Sequence, residues 1–306
     1  MRILAATGSG LVSIDPGTDT TARELESRGV GALAPAAWKR LWAALDGREI
    51  WRSDGDGWRQ VATLDGREVT CLADTRANHE DGILFGTSQA RLGRVSPEGE
   101  IELIEAFDRA PGRAGWFTPW GGPPDTRTIS EDARAVYVNV HVGGVLRSRD
   151  GGAGWEPTID IGADVHQVAT GAGRVYAAGA RGLSVSEDQG DTWRTTREGL
   201  HAAYCRAVAV CGSHVLLSAS EGPGGGRAAV YRGDLAGAGL ERCRAGLPDW
   251  FAGNIDSLCL DALPGGELAA FASEAGEVYA SLDQGASWRR VASGLGTVAR
   301  VLVLPS

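Results

Sequence analysis

The chain has 306 residues, of which 43% are hydrophobic and 23% charged, with 45 glycines and a formal charge of −9. This composition excludes a disordered or fibrous chain, and the acidic balance argues against a nucleic-acid backbone or an anionic membrane as main partner. No apolar run approaches the roughly 18 residues that a membrane span needs.

The first apolar stretch, Ile3-Leu4-Ala5-Ala6, is too short for a secretory signal and reads as a strand. Five cysteines follow along the chain: Cys71, Cys205, Cys211, Cys243 and Cys259. Their odd number and the lack of CxxC spacing point to reduced core thiols of a cytoplasmic protein, not to a zinc knuckle.

A repeat organises the rest. Ser148-Arg149-Asp150-Gly151-Gly152-Ala153-Gly154-Trp155, Ser186-Glu187-Asp188-Gln189-Gly190-Asp191-Thr192-Trp193 and Ser281-Leu282-Asp283-Gln284-Gly285-Ala286-Ser287-Trp288 share the pattern Ser-x-Asp-x-Gly-x-x-Trp. Ser53-Asp54-Gly55-Asp56-Gly57-Trp58 is a fourth copy, one residue short. Such a segment suits a hairpin turn: Ser and Asp accept turn amides, Gly takes a backbone angle closed to other residues, and Trp packs between sheets. The pattern is that of the Asp-box, and the chain resembles Asp-box (BNR) repeat propellers, a family that includes sialidases, xyloglucan-active glycosidases, sortilin-type receptors and photosystem II assembly factors.

Short alternating strands precede each copy, so each unit reads as four antiparallel strands. Units fall near 31–64, 68–108, 125–160, 164–200, 203–246 and 255–295. Segment 1–29 supplies three strands, and 297–304 returns from the C-terminus as its innermost fourth. The expectation is one all-β domain over 1–306, a seven-bladed β-propeller, with six blades as the alternative if 31–64 is not a blade.

The Asp-boxes lie on one rim, which makes Asp150, Asp188 and Asp283 structural. On the other rim the innermost strands begin with Gly31, Thr70, Arg127, His166, Arg206, Asp256 and Ala299. One half of this ring is small, and the other is charged or ionisable. Asp125, Asp164, Tyr204 and Asn254 lie close behind. His141, His166 and His201 map to this rim in consecutive blades and form a candidate set of transition-metal ligands. His79 and His214 map to the opposite rim as surface residues. The irregular connection 111–124 brings Trp116 and Trp120 to the mouth as a stacking wall, and Trp250 lies on a later crossover.

Three functions compete. In the first, Arg127 and Arg206 hold an anionic small molecule, with Trp116, Trp120, Trp250 and Glu221 as further binding groups. His166, His141, Tyr204 and Asp256 then form the catalytic set, by histidine acid–base chemistry or with a transition-metal ion held by His141, His166 and His201. The second is glycoside hydrolysis, as the sialidase resemblance implies. It is disfavoured because the Arg-Ile-Pro motif is absent and only two ring positions carry arginine. The third is a protein-binding scaffold, as the assembly-factor resemblance implies. The His, Arg and Trp pattern favours the first.

Overall fold

The computed structural model describes residues 1–36, 40–78, 82–160 and 162–305. Strands β1–β28, numbered along the chain, form seven four-stranded antiparallel sheets around a common axis, a seven-bladed β-propeller. Blade 1 joins β1 (Arg2–Thr7), β2 (Gly10–Ile14) and β3 (Thr21–Glu24) to β28 (Val298–Leu304). Blades 2 to 7 are β4–β7 (30–63), β8–β11 (69–103), β12–β15 (126–157), β16–β19 (165–196), β20–β23 (204–242) and β24–β27 (260–292). None of the described helices is long and apolar enough to cross a membrane.

β28 closes the ring as the innermost strand of blade 1. It pairs antiparallel with β1 through Arg2↔Leu304, Ile3↔Val303, Leu4↔Leu302 and Ala5↔Val301. Its far side packs against β24 and β4. The sheet edges on which open β proteins associate are thereby removed at this junction.

Burial peaks in the middle strands of a blade and falls toward its outer strand: innermost β12 (Thr126–Glu131) is only partly buried. The second strand of blade 4, β13 (Val136–Val140), is buried at every position, whereas the outer strand β3 is largely exposed. Blades stack face to face, so the middle strands are covered on both sides and lose the apolar–polar alternation of a half-exposed sheet. Between blades 3 and 4 this packing joins Leu84, Phe107, Val138 and Trp155 in one cluster.

Each full Ser-x-Asp turn repeats one set of bonds. Ser186 Oγ donates to Asp188 Oδ1 (2.8 Å) and accepts the Gly190 amide (2.7 Å), and Trp193 Nε1 donates to the Gly190 carbonyl (3.2 Å). Ser148 and Ser281 repeat it with Gly152, Trp155, Gly285 and Trp288. Gly285 has φ +84°, and a Cβ there would lie 2.5 Å from Leu216, so glycine is required on both counts. The short fourth copy does not close this way: Trp58 Nε1 turns instead to Glu24 of blade 1 (2.7 Å). His79 lies outside the described residues.

Candidate functional site

The inner strands begin on the rim opposite the Ser-x-Asp turns. In six blades the register with the neighbouring strand slips by one residue at this point, at Gly31, Thr70, Arg127, His166, Arg206–Ala207 and Ala299. A β-bulge leaves its extra residue outside the ladder and re-aims the side chain. The ring read from the sequence is thus, in these six blades, a ring of bulges at the channel mouth.

Blade 7 departs from the pattern. Its inner strand β24 is only Leu260–Ala262, so Asp256 does not begin a strand as expected; it opens a turn over 256–259, closed by Cys259 N–H to Asp256 O (3.0 Å). The turn reaches over the channel. Leu258, at φ +63°, donates its amide to Gln167 Oε1 of blade 5 (2.8 Å) and accepts from Val301 of the closing strand (2.9 Å). Ser257 Oγ donates to the Arg206 carbonyl (3.2 Å). Leu258 consequently borders both the mouth, with Thr70 and Arg127, and the cavity below it, with Val208 and Arg300.

That turn presents Asp256 to both arginines. Arg206 Nη1 lies 2.6 Å from Asp256 Oδ1, and Arg127 Nη2 lies 3.9 Å from the same atom. Burial alone would raise the Asp256 carboxyl, but Arg206, the Ser257 amide and Arg127 outweigh it and hold it below its ordinary value. Arg206 also lies over the Tyr204 ring (5.4 Å), and its buried Nε has no hydrogen-bond partner among the described residues.

His166 is placed differently from the expectation that set it between Arg127 and Arg206. Fully buried, it directs Nδ1 to the Cys205 carbonyl (2.6 Å) and Nε2 toward Asp164 Oδ1 (3.2 Å), with the Tyr204 ring 4.6 Å away. His141, at the end of β13, brings its Nε2 to the same Oδ1 (3.2 Å), while Arg127 Nη1 donates to its Nδ1 (3.2 Å). Burial acts to raise the Asp164 carboxyl, but the two imidazoles prevail and hold it well below the usual carboxylate range. Trp120, 69% exposed, stands edge-on to His141 at 4.9 Å. An unbroken line of contacts therefore crosses the mouth from Trp120 through His141, Arg127 and Asp256 to Arg206 and Tyr204.

Four expected members stand elsewhere. His201 does not join His141 and His166: its crossover carries it over the third strand of blade 6, where Nδ1 meets Tyr231 Oη (2.7 Å) and the ring packs on Trp250 (4.7 Å). Trp250 lies in turn under Arg242 (3.9 Å), away from the channel. Trp116 is no part of a ligand wall. It is buried against Phe107 (5.6 Å) in the core between blades 3 and 4. Glu221, expected as a binding group, is paired with Arg227 of its own loop. Asp164 takes the place of His201 beside the other two histidines. The five cysteines are free and buried, and burial pushes the thiols of Cys71, Cys205 and Cys259 up to about 12, which removes them as nucleophiles.

No protein-family model matches the chain, and no curated protein matches its sequence. Solved structures do match. YCF48 bound to D1 peptide aligns over 78% of this chain and 77% of that one, with 12% identity and a TM-score of 0.56. The computationally designed Ika8 protein aligns over 99% and 88% (13% identity, TM-score 0.62), and a chain of the Mitotic Checkpoint Complex over 98% and 85% (12% identity, TM-score 0.60). The likeness is one of fold. At these identities it establishes the propeller and leaves the chemistry of the mouth to be argued from its own residues.

Proposed function

We propose that this chain is a recognition propeller whose channel mouth takes an acidic group of a partner, a peptide segment carrying a carboxylate. The observation that carries this reading is the sharing of Asp256 by Arg206 and Arg127. Two guanidiniums meet one half-exposed carboxylate, which leaves donor capacity for a second planar anion. Exposed Trp120 and Phe117 on the same side offer apolar contact to the residues flanking that anion. The peptide bound by the structurally similar YCF48 supports a peptide as the carrier. Free, buried thiols support a reducing, cytoplasmic setting.

A second reading keeps the anion but makes it a small molecule, with His166, His141 and Tyr204 as acid–base groups. It is favoured by the packing of Tyr204 against both Arg206 and His166. One experiment addresses both. Fluorescence anisotropy is measured with labelled acidic peptides and their amidated counterparts, with inorganic phosphate and small dicarboxylates as competitors. Binding of the acidic peptides alone, weakened tenfold or more by Arg206→Ala, supports the first reading. Tight binding of the small anions supports the second. Equal binding of acidic and amidated peptides, unchanged in the arginine variants, overturns both.

A further inference from the structure

His166 and Asp164 meet in an arrangement that needs a cation. His166 is completely buried, and its Nδ1 lies 2.6 Å from the Cys205 carbonyl, which can only accept. Nδ1 therefore carries the hydrogen, and in the neutral ring Nε2 presents a lone pair. That lone pair faces Asp164 Oδ1 at 3.2 Å, and His166 Nε2 has no hydrogen-bond partner among the described residues. Two acceptors brought this close in a buried place repel each other unless a positive charge lies between them.

We propose that His166 Nε2, Asp164 Oδ1 and His141 Nε2 hold a divalent transition-metal ion of the zinc class at the channel mouth. The three atoms lie within 4.8 Å of one another. Each imidazole nitrogen is 3.2 Å from the carboxylate oxygen. Bonds of about 2.0–2.2 Å in tetrahedral or octahedral arrangement separate neighbouring ligand atoms by about 2.9–3.4 Å, so both spacings fit one shared ion. Two imidazoles with one carboxylate select zinc, cobalt, nickel or iron over magnesium or calcium. The Cys205 carbonyl supplies the outer hydrogen bond that orients metal-binding histidines.

The sequence brings these groups together by two devices. The bulge at the start of β16 turns His166 out of the ladder two residues after Asp164, and His141 follows directly on β13 of the adjacent blade. His141 also requires a tautomer change. Arg127 donates to its Nδ1, which puts the hydrogen of the neutral ring on Nε2. Ligation moves that hydrogen to Nδ1 and releases Arg127, whose other nitrogen already lies 3.9 Å from Asp256. The site does not rest on the partner reading, since its ligands and its test involve no peptide.

The test uses full-length untagged protein, freed of metal by chelator and titrated with Co2+ and then Zn2+. One equivalent of Co2+ with visible absorption of nitrogen ligation, displaced by Zn2+, is expected. His166→Ala and Asp164→Ala should each weaken binding at least 100-fold, and His141→Ala by a smaller factor, in proteins that keep the wild-type circular dichroism. His166→Gln, which retains a donor for the Cys205 carbonyl, covers the case in which His166→Ala fails to fold. His201→Ala should bind as wild type. Absence of stoichiometric metal from the wild type, together with nitrogen-15 shifts showing both His166 nitrogens protonated, would assign the intervening charge to a proton and overturn the proposal. Metal uptake unchanged in the Asp164 and His166 variants would overturn it equally.

Discussion

Gln167 of blade 5 holds the turn of blade 7 in place: its side-chain oxygen accepts the Leu258 amide at 2.8 Å from 91 residues away, and its nitrogen donates to the Val208 carbonyl at 2.9 Å. Leu258 has φ +63°, a conformation costly for a γ-branched side chain, so the turn depends on such ties. Gln167→Leu leaves the Leu258 amide without its acceptor and should cost about 1–3 kcal/mol in denaturant unfolding. Hydrogen exchange at Leu258 should speed up more than at residues of β20. Uniform exchange across both would show that the turn does not rely on Gln167.

Asp256 competes with any anion for Arg127 and Arg206. Asp256→Asn removes that competitor while keeping the turn's size, and should tighten binding of an acidic peptide or of phosphate. Isothermal titration at low salt would register the gain, and added salt should erode it, because the attraction is screened. Weaker binding in Asp256→Asn would mean that the carboxylate positions the arginines more than it occupies them.

Trp116 and Trp120 sit four residues apart and should behave oppositely. Trp116→Ala empties a site in the core beside Phe107 and should cost about 3–5 kcal/mol. Trp120→Ala removes a side chain that is 69% exposed and should leave the melting temperature nearly unchanged. Its effect should appear in ligand binding and in fluorescence quenching by the ligand.

The Ser-x-Asp turns should make stability depend on acid. Hydrogen bonds from the Thr192 hydroxyl and amide and from Ser186 hold the Asp188 carboxyl down to about 2. Asp150 and Asp283 are lowered in the same sense. A depressed carboxyl stabilises the folded state above its unfolded value of about 3.9 and loses that contribution as pH falls through the folded value. Melting temperature should therefore decline between about pH 4 and pH 2, less steeply in Asp188→Asn. Ser186→Ala orphans the buried Gly190 amide and should cost about 1–3 kcal/mol at neutral pH.

Removing residues 297–306 strips β28 from β1 and unpairs a ladder that runs from Arg2↔Leu304 to Thr7↔Val298. It also opens the ring between blades 7 and 2. The truncated chain should be largely insoluble or melt far below the full one, as differential scanning fluorimetry of the soluble fraction would register. An unchanged melting temperature would contradict closure by this strand.

The blade count and the position of the mouth were legible because each rests on a local, repeated signal: a turn motif with fixed spacing and short strands between turns. The bulged ring was legible as a set of equivalent positions, though not as bulges, since the slip appears only against the partner strand. What escaped lies in contacts between distant segments. Trp116 and Trp120 share one irregular loop, and only Phe107 and the stacking of blades 3 and 4 decide which of them turns inward. His201 has the same strand-flanking context as His141, yet Tyr231 and Trp250 capture it on the outer part of blade 6. Asp256-Ser257-Leu258-Cys259 aligns with the strand starts of the other blades, and its conversion into a turn depends on Gln167 and Val301. Asp164 was recognised only as a neighbour of His166, because its meeting with His141 depends on how two blades abut.

The bulges at the mouth separate what the ring must preserve from what it is free to vary. A residue outside the ladder can be exchanged without moving any rung above or below it. Gly31, Thr70 and Ala299 already occupy such positions with small side chains, opposite the charged half. Larger or charged residues introduced there would face the same ligand from the other side while strand pairing stays as it is, although replacing Thr70 gives up its hydroxyl bond to the Thr126 carbonyl of the next blade. Selectivity in this architecture can drift one position at a time on an unchanged frame, and libraries limited to these three sites offer a direct route to altered ligand preference.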